Sequence, residues 1–141
     1  MAVIVKEKFE KPKRDIWNAI TVWDEMIQWY FSNLPDFKAE QGFKTEFEVK
    51  SEERTFTHIW KVLEVIAEQK IKYSWTYKEY TGEGIVTFSL SEQKGFCELQ
   101  VMTEGLETFP PNIPEFKEES CRAGWQYFIN QNLKNYFDEN K

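Results

Sequence analysis

The stretch Lys70-Ile71-Lys72-Tyr73-Ser74-Trp75-Thr76-Tyr77-Lys78 decides the fold. Its large apolar side chains fall on every second residue, Ile71, Tyr73, Trp75 and Tyr77, with lysines and small hydroxyl residues between them. Successive side chains of a β-strand point to opposite faces, so the alternation predicts a strand with one apolar face and one wet face. Neighbouring stretches repeat it. Phe43, Thr45, Phe47 and Val49 alternate with Lys44, Glu46, Glu48 and Lys50, and His58, Trp60 and Val62 oppose Ile59, Lys61 and Leu63. Val86, Phe88 and Leu90 follow the turn Thr81-Gly82-Glu83-Gly84, and Cys97, Leu99 and Val101 follow Gly95. Short alternating runs separated by turn residues predict a meandering antiparallel sheet covered on one side only.

The cover is predicted at the C-terminus. Cys121, Trp125, Phe128, Ile129, Leu133, Tyr136 and Phe137 recur at spacings of three and four, one helical stripe within a helix over about 115–138. At 1.5 Å per residue such a helix is on the order of 35 Å long, enough to cross a small sheet. At the other end, Val3, Val5 and Phe9 alternate with Ile4, Lys6 and Lys8 as a first strand over 2–10. Pro12 is suited to a first helical turn ahead of Ile16, Trp17 and Ile20. A second short helix is predicted from Asp24 as N-cap, carrying Met26, Ile27, Trp29 and Tyr30 and ended by Pro35. The sum is an α+β domain in which a curved antiparallel sheet wraps around a long C-terminal helix, with two short helices after the first strand.

Composition bounds the function. The 141 residues are 41% hydrophobic and 17% aromatic, which predicts a single domain over 1–141 with a real core and excludes low-complexity disorder. Apolar runs such as Val3-Ile4-Val5 fall far short of the roughly 18 to 20 residues of a membrane span. Lys6, Glu7 and Lys8 interrupt any signal-peptide core, so a cytoplasmic monomer is expected. With 18 basic against 24 acidic residues the net charge is −6, which argues against nucleic acid as a partner. His58 is the single histidine, and Cys97 and Cys121 stand apart, so no metal-ligand spacing exists and no cofactor is expected. Both thiols fall on faces predicted to be buried and read as reduced cysteines.

Several strings carry a family resemblance: Trp17-Asn18-Ala19-Ile20, Met26-Ile27-Gln28-Trp29-Tyr30, the Gly42 turn before Phe47, His58-Ile59-Trp60-Lys61-Val62, Ile71-Lys72-Tyr73-Ser74-Trp75, Gly105-Leu106-Glu107 and Gly124-Trp125. In order and spacing they resemble the helix-grip fold of the START-like superfamily (SRPBCC), which includes the birch-pollen allergen. The branch they resemble is the domain named for the activator of heat-shock protein 90 ATPase, in its stand-alone bacterial form. The resemblance implies a cavity between sheet and helix, used elsewhere in the superfamily for lipids, hormones or polyketides. It also implies a heat-shock chaperone as an alternative partner, and some branches are cyclases or aromatases.

The candidate ligand-binding residues are Trp60, Tyr73, Trp75, Tyr77, Phe88 and Trp125, which either line a cavity or fill the core, together with His58. The expected function is non-enzymatic binding of a small apolar or aromatic molecule. Two alternatives stand beside it: a protein-interaction module acting on a chaperone ATPase, and a cyclase-like or hydrolase-like enzyme using His58. Trp23, Trp29, Tyr30 and Phe31 form either a cavity entrance or more core. Glu7 and Glu64 fall on apolar faces by parity, and either reach inward or escape to water at a strand end or bulge. From Glu104 to Glu119, five glutamates face Lys117 alone around Phe109-Pro110-Pro111-Asn112-Ile113-Pro114, a rigid segment suited to a mobile cover, a partner contact or a plain connector.

Overall fold

In the computed structural model, which describes residues 2–139, the alternating stretches form six strands: β1 (Ala2–Phe9), β2 (Lys44–Ser51), β3 (Arg54–Ile66), β4 (Lys70–Tyr77), β5 (Gly84–Gln93) and β6 (Phe96–Glu104). They make one antiparallel sheet in the order β1-β6-β5-β4-β3-β2. Helices α1 (Lys13–Thr21) and α2 (Trp23–Trp29) follow β1. The chain ends in α3 (Glu118–Trp125), a π-helical stretch Gln126–Leu133 and α4 (Lys134–Glu139), which run on as one helix because the junction residues Gln126 and Lys134 keep right-handed helical backbone. This is the α+β helix-grip architecture.

Register explains how the apolar faces meet. Trp60 lies opposite Trp75 and Val62 opposite Tyr73, while Tyr73 pairs with Val86, Val86 with Thr103 and Thr103 with Val3. These rows run across the concave face, and the stripe Trp125, Ile129, Leu133 and Phe137 is buried against it. Polar side chains on the terminal helix hold its position. Arg122 Nη1 donates to the Ile4 carbonyl at 3.2 Å and Asn130 Nδ2 to the Lys6 carbonyl at 3.0 Å. These bonds occupy carbonyls of edge strand β1 that would otherwise offer pairing sites. On the opposite flank Asn132 Nδ2 donates to the Trp29 carbonyl at 3.2 Å and the Tyr136 hydroxyl to Glu25 Oε1 at 2.8 Å.

Several expected details change. The second helix starts one residue before Asp24, with Val22 both closing α1 and opening α2, so Asp24 lies in the first turn and not at the cap. It ends at Tyr30, well ahead of Pro35, because the Tyr30 backbone leaves the helical region at φ −104° and ψ −125°. Of the two courses expected for Glu64, the structure takes the one to water, and the residue does not extend the His58, Trp60 and Val62 face. A β-bulge between Val62 and Glu64 inserts one residue, turns Glu64 toward solvent beside Lys70 at 2.8 Å, and brings Val65 opposite Ile71 against the core. Glu7, on edge strand β1, is tied to the terminal helix by Asn130 Nδ2 at 3.1 Å and Lys134 Nζ at 3.3 Å. Cys97 is buried, but Cys121 is only half-buried.

The segment between β6 and α3 is pinned at both ends. Gly105 adopts φ +88°, and a Cβ there would lie 2.3 Å from the Glu83 carbonyl oxygen, so only glycine fits. The Thr108 hydroxyl receives the Glu83 N–H at 2.8 Å and donates within the same turn. Phe109 and Phe116 are buried with Phe56 in a second, smaller cluster beside Tyr77 and Tyr80.

Tyr30 fills the centre of the grip. Its ring stacks on Trp29 at 4.7 Å and on Trp60 at 5.4 Å, and meets Phe128 edge-on at 4.9 Å. Its hydroxyl lies 2.7 Å from that of Tyr73, and burial pushes both phenols well above the ordinary tyrosine range, so both stay protonated. Removing one hydroxyl leaves the other buried without its partner, which costs about 1–3 kcal/mol, whereas removing both is close to neutral relative to either single change. Urea unfolding of Tyr30→Phe, Tyr73→Phe and the double variant is therefore expected to give a double-variant loss no larger than the single ones. Additive losses would show that the two hydroxyls are independent.

Candidate functional site

The grip is filled at one end and open at the other. Beyond the Tyr30 ring a cavity of about 150 Å³ lies between β4, β5 and β6, the start of the terminal helix and the pinned segment. The sheet contributes Trp75, Tyr77, Val86 and Thr103, the helix Cys121, Gly124, Trp125 and Phe128, and the segment Leu106, Phe109 and Phe116. Phe31, the residue after Tyr30, closes the inner side, with its ring 5.9 Å from Trp75 and 4.9 Å from Phe128. Trp75 and Trp125 meet edge to face at 5.9 Å across the space, and Phe109 stacks on Phe116 at 4.8 Å.

Polar groups are few. The Trp125 indole N–H donates to Thr103 Oγ1 at 2.8 Å, which fixes the indole against the sheet. The Cys121 thiol lies beside both groups, and burial pushes its pKa up, so it stays a neutral thiol. Among the described residues Glu115 is the one lining side chain that carries a charge. Its Oε2 accepts from Ser51 Oγ at 2.9 Å and from Arg54 Nη1 at 3.3 Å. Burial raises the Glu115 carboxyl, but its own backbone N–H, the Ser51 hydroxyl and the Arg54 charge together outweigh burial and hold it below the usual carboxylate range.

The sequence-derived candidates divide between the two ends. Trp75, Tyr77 and Trp125 line the cavity. Trp60, Tyr73 and Phe88 are each about 1% exposed and belong to the filled part around Tyr30. Of the uncertain aromatic set, Trp29 and Tyr30 are core, and Phe31 borders the cavity. Lining residues that sequence reasoning did not rank as site residues include Thr103, Phe109, Glu115 and Phe116. Thr103 was within reach, because it continues the Cys97, Leu99 and Val101 alternation by one step. Phe109 lies in irregular backbone and Glu115 and Phe116 in a single 3-10 turn, Pro114–Phe116, so no period reaches them.

His58 sits among rings, stacked on Phe47 at 4.9 Å and 5.3 Å from Phe31. Its Nδ1 lies 3.0 Å from the Phe56 carbonyl, which can only accept, so Nδ1 carries the proton. No carboxylate hydrogen-bonds to this ring among the described residues. Nor do any three His, Cys, Asp or Glu side chains among them come together as a metal site.

Burial lowers the His58 pKa from its ordinary value to about 4, against a partial upward pull from the Phe56 carbonyl and Glu79. The unfolded chain therefore binds more protons between pH 6.5 and 4, and stability falls as pH drops through that window. Between pH 6.5 and 5 the loss is about 2 kcal/mol. Denaturant melts are expected to show this slope in the wild type and a flatter one in His58→Gln, whose amide can still donate to Phe56. An unchanged slope would mean that His58 is not buried as a neutral ring.

Comparison with known proteins follows the same outline. A search of curated protein sequences found no match. Among solved structures, protein CV1439 from Chromobacterium violaceum superposes with a TM-score of 0.78 at 18% identity, covering 96% of each chain. Protein MLL2253 from Mesorhizobium loti gives 0.76 at 18% identity, covering 100% of this chain and 99% of its own. PFC0360w, an HSP90 activator from Plasmodium falciparum, gives 0.72 at 17% identity, covering 98% and 96%. At such identities the likeness is one of fold. The profile of the family described as Activator of Hsp90 ATPase homolog 1-like protein matches residues 10–138, nearly the whole chain, and the chain belongs to that family.

Proposed function

We propose that this protein is a non-enzymatic binding module that takes one small apolar or aromatic group between the sheet and the start of its C-terminal helix. The observation that carries the proposal is the aromatic cavity itself, bounded by rings from sheet, helix and the pinned segment. Its volume of about 150 Å³ sets the ligand size. An apolar cavity near 150 Å³ holds roughly one benzene ring, whereas sites for drug-sized molecules run from about 300 Å³ upward. A single ring or short branched chain fills that space, and a larger molecule would extend through its open side along Leu106, Phe109 and Phe116.

The expected affinity is modest. One ring buries on the order of 200 Å² and gains about 25 cal/mol per Å², or about 5 kcal/mol, which corresponds to dissociation constants in the upper micromolar to millimolar range. Gly124 offers a blocking variant, because it is helical, lines the cavity, and a Cβ placed on it meets nothing within 4 Å. Titration with benzene, toluene and indole, followed by indole N–H chemical shifts, is expected to move Trp75 and Trp125. Gly124→Leu is expected to abolish the shifts without loss of stability. Shifts that are absent, or that survive Gly124→Leu undiminished, would count against the site.

A second reading is favoured by the family and by the fold shared with the Plasmodium HSP90 activator: contact with a heat-shock chaperone ATPase. It predicts stimulation of the host chaperone's ATP hydrolysis by this protein at micromolar concentration. No stimulation up to about 100 μM, well above the micromolar scale of a specific encounter, would remove it.

A further inference from the structure

One hydroxyl on the cavity wall is left without an acceptor among the described residues. Tyr77 stands on the concave face of β4 with Trp75, and its ring packs 5.5 Å from Phe109 and 5.1 Å from Phe116 along the cavity edge. Its hydroxyl lies beside the Trp75 indole N–H and within electrostatic reach of the Cys121 thiol, both of them groups of the same wall. Burial pushes the Tyr77 phenol above the ordinary tyrosine range, against a partial downward pull from that N–H, so it stays protonated at neutral pH. No described residue takes its proton, and its oxygen is not among the unpartnered polar atoms sealed from solvent.

The Trp75 N–H decides which way that proton turns. It is sealed from solvent and completes no hydrogen bond among the described residues, so it offers nothing to a ligand directly. An indole nitrogen only donates, whereas a phenol oxygen both donates and accepts. Two protons facing each other repel, so the Tyr77 oxygen turns its lone pair to Trp75 and its own O–H toward the open space. The other polar groups of the wall are engaged or wet. Trp125 donates to Thr103 at 2.8 Å, Glu115 Oε2 holds Ser51 and Arg54, and Ser120 is exposed. A half-buried donor aimed into an apolar space calls for an acceptor there.

We infer that the ligand of this site is a small neutral carbonyl compound, its ring or short hydrocarbon chain held among Trp75, Trp125 and Phe109 and its carbonyl oxygen accepting the Tyr77 O–H. The inference rests on the binding reading above and names the chemical class of its ligand. A hydrocarbon would gain the burial but leave the Tyr77 proton unmet. An alcohol accepts as well, yet brings a proton of its own into an apolar space. An ammonium ion, which only donates, would compete with the Trp75 N–H for one oxygen. A carboxylate would carry its charge into a wall that has no lysine, arginine or histidine among the described residues.

The test uses acetophenone and α-methylstyrene, which have the same shape and differ by a carbonyl oxygen against a methylene group, with calorimetry and the carbonyl infrared stretch as readouts. In the wild-type protein the stretch of bound acetophenone is expected below its position in cyclohexane, the mark of a hydrogen-bonded carbonyl. Tyr77→Phe is expected to return the stretch to the cyclohexane position and to lower the affinity for acetophenone, relative to that for α-methylstyrene, by about fivefold. The wild-type stretch stands on its own should that variant unfold. A wild-type stretch at the cyclohexane position, or a lowered stretch and the same affinity ratio in folded Tyr77→Phe, would overturn the carbonyl assignment and leave ring binding intact. Binding of neither probe would overturn both.

Discussion

How much of the grip stays empty depends on where the Tyr30 ring goes. A sheet curved around a helix encloses space by geometry, and close packing drives side chains to fill it. Tyr30 enters from the end of α2 through a backbone conformation outside the helical region, stacks between Trp29 and Trp60, and joins its hydroxyl to that of Tyr73. That hydrogen bond lets two phenols be buried together, since neither oxygen is left without a partner. With the ring in place Trp60, Tyr73 and Phe88 are core residues, and the remaining space lies toward the β6 to α3 segment.

The remaining space owes its walls to backbone features more than to side-chain volume. Gly105 permits the close approach of the segment to Glu83, and the Thr108 hydroxyl locks that approach. Phe109 and Phe116 are then carried over the open end of the sheet, and Glu115 between them reaches the β2–β3 hairpin at Ser51 and Arg54. Gly124 leaves open the space on the helical side. The segment is thus a fixed wall of the cavity, anchored through Thr108 at one side and Glu115 at the other.

The architecture was legible because two periods dominate this chain. Strict alternation from Lys70 to Lys78 and the stripe from Cys121 to Phe137 require a one-sided sheet and its helical cover, and those requirements survive in the structure. Parity also placed Trp60, Tyr73, Trp75, Tyr77 and Phe88 on one face, but a face is two-dimensional. Which part of it stays uncovered depends on Tyr30, a helix-terminal residue whose direction no period specifies. Parity failed at Glu64 because a bulge adds one residue to β3 and reverses the faces beyond it. Glu115 was visible only as one glutamate in an acidic run, and its bonds to Ser51 and Arg54 are three-dimensional contacts with a hairpin some sixty residues earlier.

The grip is divided, filled around Tyr30 and open near Trp125, and xenon distinguishes the two parts because small apolar cavities take it up without demanding a particular chemistry. A crystal structure under xenon pressure is predicted to show an atom among Trp75, Trp125 and Phe109 and none within the Tyr30, Trp60 and Tyr73 layer. Xenon lodged beside the Tyr30–Tyr73 hydroxyl pair, or no xenon near Trp125, would mean that the grip is not divided in this way.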